Sequence, residues 1–434
     1  MRNVLPGLIA LAGIVSTFVF GVPIAGAEQR YKELIQQEFL KFDPQYLEKR
    51  KLYETDLTQL AGEIARAEAA GRDMHCSQQI YLEAKWLIHY SAYWDRIEDK
   101  LDRLRSSFDL KDQSFAASQS PVDGHWGVCH EEDFMRLAAT LEGLVKLDLK
   151  SQKPIFKLKP IGGMETGKQL VDRLNSLLIS DIAHQGIDNR SELGSLITTI
   201  ALAAFKPKIR AMVEAALAHM PTKSGANRLD IATEAFRFFL NASQDAETGY
   251  WGAWYIVNGK VIKTPDLSFT YHIIGYTKGD VARWPQILAT TARIENDEYP
   301  YGWKHDGEHN NHNLYDVAKI YKYAWPNIPK EKRPALRNQI QSMIDWSLAN
   351  TINEDGQFKF DPSFSNSLAA EYYYGISFLD VVGYWDDDRR FWTEEASEPG
   401  ADELCRQIKG ALDTVGISGW EGIAARQKIE RNCL

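Results

Sequence analysis

Cysteine and histidine are scarce in this chain, four and ten among 434 residues. No two cysteines stand in a CxxC spacing, which argues against a zinc-thiolate framework. Basic charge is not in surplus. The net charge is −9 at pH 7, so a general nucleic-acid partner is not expected and only a local basic cleft is left open. Beyond the first 27 residues no run is apolar enough to span a bilayer. No D-x-D-x-D calcium loop is present and no cofactor is expected. Strand signals are few. No Pro- or Ser-rich linker divides the chain, and Lys153–Gly163 is the best break.

Hydrophobic residues make up 44% and charged residues 25%, ordinary for a globular protein. Aromatics are plentiful, with 12 Trp, 19 Tyr and 18 Phe. Flat rings suit sugar faces, and they equally suit a large core between helices. Residues 1–27 read as an export signal, with Arg2, an apolar Val4–Phe20 and the small-residue site Ala25-Gly26-Ala27. An uncleaved anchor is the alternative. A periplasmic or secreted location follows, and disulfides become permissible. Cys76, Cys129, Cys405 and Cys433 allow three pairings. Sequence proximity favours Cys76–Cys129 with Cys405–Cys433.

Residues 28–120 read as a helical N-terminal part, in which Tyr81–Leu104 carries helical spacing throughout. From residue 121 a unit recurs: a Gly-aromatic loop, then a helix. Landmarks Trp126, Asp188, Trp251, Trp303, Phe358 and Trp420 stand about 50 to 65 residues apart. Second helices lie between them. Repeated helix pairs imply a solenoid or a closed ring, and about six pairs suit an all-α (α/α) toroid over 121–434, continuous with the N-terminal part. Tyr255–Thr264 is the exception. Alternating apolar residues flank Asn258-Gly259, a type I′ hairpin signature, expected as a ribbon on the rim.

The segment Tyr299–Trp325 concentrates His305, His309 and His312. Pro300, Gly302 and Gly307 keep its first half irregular. From His312 the apolar spacing is helical, and Pro326 stops it. Asn310-Asn311-His312 therefore sits where a loop enters a helix, a place for capping or for polar groups facing a cavity.

That tripeptide resembles the Asn-Asn-His motif of alginate lyases and related polysaccharide lyases with helical-toroid folds. The run Ser367-Leu368-Ala369-Ala370-Glu371-Tyr372-Tyr373-Tyr374 is similar to the family's downstream Tyr helix. The resemblance covers these two patches. It implies β-elimination on a uronate-containing polysaccharide: Asn311 holds the carboxylate, His312 takes or relays the C5 proton, and Tyr372 supplies one to the leaving oxygen. A basic residue before the Tyr is missing, since that region reads Phe364-Ser365-Asn366. A Trp-Leu-Lys-Asp stretch is missing too. Arg190, Lys263, Lys304 and Lys359 are candidates for the absent charge.

The remaining candidates for substrate binding are Asn310, His272, Lys263 and the sugar platforms Trp251, Trp254 and Trp303. Each has a plain structural alternative: a helix cap for Asn310, a core position for His272, and gap plugs between helix pairs for the tryptophans. Three other functions fit the same architecture. An inverting hydrolase needs two carboxyls about 6.5–9.5 Å apart. Asp123, Asp245, Glu247, Asp266, Asp306, Glu308, Asp355 and Glu371 are rim candidates, although Asp before Gly is also ordinary turn chemistry. His305, His309 and His312 carry an H-x3-H-x2-H spacing that a metal could use on a helix. A non-catalytic polysaccharide-binding protein would keep the same aromatics.

Overall fold

The computed structural model describes residues 29–159, 166–217, 228–360, 367–385, 400–417 and 419–433; the signal read over 1–27 lies outside them. Four helices come first: α1 (Gln29–Phe42), α2 (Tyr46–Ala69), α3 (His75–Tyr90) and α4 (Trp94–Ser107). The helical spacing of Tyr81–Leu104 is thus interrupted. Ser91 turns extended and bridges Ile187, and the Ala92 N–H donates to Gly186 O at 2.8 Å. A tertiary contact overrides the local pattern there.

The rest of the chain alternates. After α5 (Asp133–Leu149) come α6 (Gly167–Leu178), the short strand β1 (Ile179–Ser180) and α7 (Ile182–Gln185). After α8 (Arg190–Phe205) come α9 (Pro207–Leu217) and α10 (Arg228–Ser243). Strands β2 (Trp254–Val257) and β3 (Lys260–Lys263) lead to α11 (Leu267–Thr277) and α12 (Trp284–Arg293). α13 (Asn311–Ala324) precedes α14 (Arg333–Thr351), α15 (Leu368–Val381) precedes α16 (Ala401–Thr414), and α17 (Gly419–Asn432) is last. The chain is mostly helical with one small sheet, in line with the all-α expectation. The hairpin lies where its signature places it. Asn258 and Gly259 both have positive φ, 50° and 73°, as a type I′ turn requires. Its parallel partner β1 has only two residues and leaves no periodic signal.

Six helices contact one another in sequence. α8 packs on α5, α11 on α8, α13 on α11, α15 on α13 and α17 on α15; α17 also touches α5, so the order closes. Gln427 Nε2 donates to Leu149 O across that last joint at 3.3 Å. The pairings climb together. Tyr271 meets Tyr315 and Gly275 meets Lys319; Tyr373 meets Trp420 and Asp380 accepts from Asn432. Such registers make α11 and α13 run the same way, and likewise α15 and α17. The intervening helices pack on the backs of these six: α6, α9 and α10 on α8, α12 on α13, α14 on α13 and α15, and α16 on α17. Disulfides join Cys76 to Cys129 and Cys405 to Cys433, with Cα separations of 5.6 and 5.7 Å.

Two of the Gly-aromatic loops share a hydrogen-bond skeleton. In one, Gln119 Nε2 donates to Gly124 O and Phe156 O; in the other, Gln244 Nε2 donates to Gly249 O and Ala282 O. The Trp126 and Trp251 N–H groups donate to Thr140 and Thr270 hydroxyls, both at 3.1 Å. Each loop thereby wedges a buried ring against the helix that follows it. Gly143 shows how tight the wedge is, since a Cβ there would lie 2.5 Å from the Trp126 ring. Gly375 does the same for Phe358, at 2.0 Å.

Candidate functional site

α13 divides its residues by helical spacing. Asn310 Oδ1 caps it, accepting from the Asn313 N–H at 2.8 Å. Leu314, Val317, Ala318 and Tyr321 enter the core. His312, Tyr315 and Lys319, at i, i+3 and i+7, share another face. On α11, capped by Asp266, the matching face carries Tyr271, His272, Gly275 and Tyr276. On α15, capped by Ser367, it carries Tyr373 and Tyr374. These faces, with Arg190 of α8, Glu142 of α5 and Trp420 of α17, line a cavity of about 580 Å³.

Within the cavity the His312 and Tyr374 rings meet at a centroid distance of 4.3 Å, and the Tyr299 ring lies 5.4 Å from that of His312. His312 keeps about a third of its side-chain surface open, 33%, and its Nε2 lies 3.8 Å from Asp316 Oδ2. Burial pushes the imidazole down to about 4, with the His305 charge adding to the effect. Burial pushes His272 to about 3, and the Lys319, His312 and Arg190 charges lower it further. Both rings are therefore neutral at neutral pH. Asp316 is fully buried and neither carboxyl oxygen has a hydrogen-bond partner among the described residues. Desolvation drives it well above the usual carboxylate range, with Lys319 opposing. The Tyr374 phenol is raised by burial and is a proton donor at neutral pH. Arg190 lines the wall but is pinned, its Nε donating to Asp266 Oδ2 at 2.6 Å. Arg190, Lys206 and Lys319 outnumber Glu142, so the lining is net positive although the chain is acidic.

Of the residues expected from sequence, His312, His272 and Arg190 reach this cavity, whereas Asn311, Tyr372, Asn310, Trp251, Trp254, Trp303 and Lys263 do not. Asn311 is 1% exposed and turns toward α14; its Nδ2 donates to Thr351 Oγ1 at 2.9 Å and its Oδ1 accepts from Ser347 Oγ at 2.6 Å. Tyr372 is wholly buried against Phe358. Consecutive helical residues diverge by about 100°, so the phenols facing inward are those of its neighbours Tyr373 and Tyr374. Trp251 and Trp303 are buried plugs whose Nε1 groups donate to Leu240 O and Thr291 O. Trp254 and Lys263 belong to the hairpin, where the ammonium lies 4.5 Å from the indole centroid and 3.5 Å from Asp245. Asn310 is a cap.

Tyr315, Lys319 and Tyr374 were not expected. The first two had a signal, since counting three and seven residues on from His312 lands on them.

Among the described residues no three His, Cys, Asp or Glu side chains converge as metal ligands. His309 packs on Trp346 and His305 sits beside Asp306. The rim acids Asp123, Asp245 and Asp355 accept backbone N–H groups of their own turns. Comparison with known protein families, curated proteins and solved structures gave no match.

Proposed function

We propose that this chain is an exported lyase, built on an (α/α) toroid of six helix pairs, that cleaves a uronate-containing polysaccharide by β-elimination. The closed order of contacts among α5, α8, α11, α13, α15 and α17 supports the toroid. The apolar N-terminal stretch and the two disulfides support export. One observation carries the activity: a neutral imidazole and a protonated phenol, His312 and Tyr374, lie ring against ring in a positively lined cavity.

In the reaction His312 accepts the C5 proton. The C4–O4 bond breaks as the C4–C5 double bond forms, and Tyr374 protonates the departing oxygen. An anionic sugar beside His312 raises the imidazole from its low resting value and makes it a better base as the ligand binds. His272 is a contact for the uronate carboxyl. A hydrolase reading has less support, because Glu142 is the one acid among the described lining residues and it pairs with Lys146 at 2.8 Å.

The test is turnover of a panel of uronate polymers, followed by the ultraviolet band of unsaturated uronates. The expected result is a rise with wild type, a loss of roughly a hundredfold or more in His312→Ala and Tyr374→Phe, and full activity in Tyr372→Phe. New reducing ends without the absorbance would replace the lyase with a hydrolase. Polymer binding without either would leave a binding protein.

A further inference from the structure

Among the described lining residues, Arg190 pairs with Asp266 and Lys206 lies 4.0 Å from Asp148, whereas Lys319 has no acidic side chain within ion-pair distance. Its ammonium lies 4.8 Å from the Tyr271 ring centroid and 5.3 Å from that of Tyr315. Its one hydrogen bond among the described residues is a long one, to Tyr315 OH at 3.4 Å. An ammonium has three N–H donors, so two have no protein partner among the described residues on a side chain that lines the cavity. Ring faces attract the charge without accepting those protons in line. Asp316, three residues earlier on α13, is raised by burial and Lys319 is lowered to about 8 by burial, each opposed by the other's charge. Lys428, on α17, adds positive field from behind, between the rings of Tyr373 and Tyr315 at 4.4 and 5.6 Å.

The neighbouring helix makes room for this ammonium. Gly275 faces it from α11, and a Cβ there would lie 3.1 Å from both Lys319 Cε and Nζ. Beside Gly275 stand His272 and Tyr276, their rings parallel to within 15°. The result is a stacked pair of rings with an ammonium next to it. An open ring face suits the apolar face of a sugar, and the cation suits an oxyanion on the same sugar.

We infer that Lys319 is the anion-recognition residue of the cavity and takes the carboxylate of a single acidic sugar unit. The choice of a uronate rests on the lyase reading; the anion site itself needs no turnover. A lysine presents a point charge rather than a planar fork, so a sulfate ester on a sugar offers it the same chemistry.

Titration calorimetry of the full mature chain with glucuronate, glucose and glucose 6-sulfate tests this. Glucuronate is expected to bind more tightly than glucose by roughly tenfold to a hundredfold. Lys319→Met removes that preference while Lys319→Arg keeps most of it, and Gly275→Ala weakens it by crowding the ammonium. Lys428→Met changes it by less than about threefold. Circular dichroism melts confirm that each variant folds. An unchanged acid-to-neutral ratio in Lys319→Met overturns the assignment, and preference for the sulfate ester over glucuronate overturns the carboxylate. Lys319-dependent glucuronate binding without turnover of any polymer would sink the lyase and spare this site. Turnover together with an intact ratio in Lys319→Met would do the reverse.

Discussion

The loops around Trp126 and Trp251 and the wall of the cavity obey opposite rules. The loops repeat. A Gln, a Gly and a Trp occupy the same relative places 125 residues apart, make the same hydrogen bonds and bury the same kind of ring. The wall does not repeat: α8 contributes Arg190, α11 His272, α13 His312 and Lys319, and α15 Tyr374. Where two units solve one packing problem the residues converge. Where each faces a shared cavity from a different angle they differ. Repetition in this chain follows a shared packing problem, and departure from it follows the cavity.

Substitutions separate the two. The largest effect is expected in the loops. Trp126→Ala and Trp251→Ala each remove a buried indole, and unfolding in denaturant should show a loss of about 3–5 kcal/mol. Tyr374→Phe should stay within about 1 kcal/mol of wild type in the same assay. Equal losses at both places would dissolve the distinction. Asn311 is the sharper case, because it sits in the motif patch yet bonds Ser347 and Thr351. Asn311→Ala strands those partners and should cost about 1–3 kcal/mol, with turnover by the folded protein unchanged. A fall in turnover without a fall in stability would return Asn311 to the wall.

The smallest effect comes from the wall's own contribution to stability. His272 and His312 are held neutral when folded, down to about 3 and 4 against an ordinary 6.5. Below 6.5 the unfolded chain binds protons that the folded chain does not, so stability is full above that pH and falls as pH drops toward 4. Each group is limited by its partial exposure, and a loss of about 1 kcal/mol between pH 6.5 and 5 is expected from the pair. Denaturant midpoints of wild type and the His272→Asn/His312→Asn double variant should converge as pH falls across this window. Parallel curves would show that the cavity hydrates both rings.

Much of the fold is legible in the chain because its signals are local. The Asn258-Gly259 turn, the Asn310 cap and the Gly-aromatic loops each depend on a few neighbouring residues. The Gln that anchors the Trp126 and Trp251 loops is equally regular, but Gln has no turn preference of its own to mark it. The site is less legible. Tyr372, Tyr373 and Tyr374 are chemically identical, and only the position of Phe358 decides that the first turns to the core. The partners of Asn311 lie 36 and 40 residues away on another helix. Helical spacing reveals which residues share a face. Which face meets the cavity is set by packing partners distant in sequence.

The joint between α17 and α5 also imposes an order in time. α5 emerges from the ribosome more than 260 residues before its neighbour across that joint, and until α17 arrives the contact that closes the order cannot form. Assembly of the cavity therefore waits for the final helix, and a chain caught midway through synthesis holds His312 and Lys319 without the wall that makes them a site.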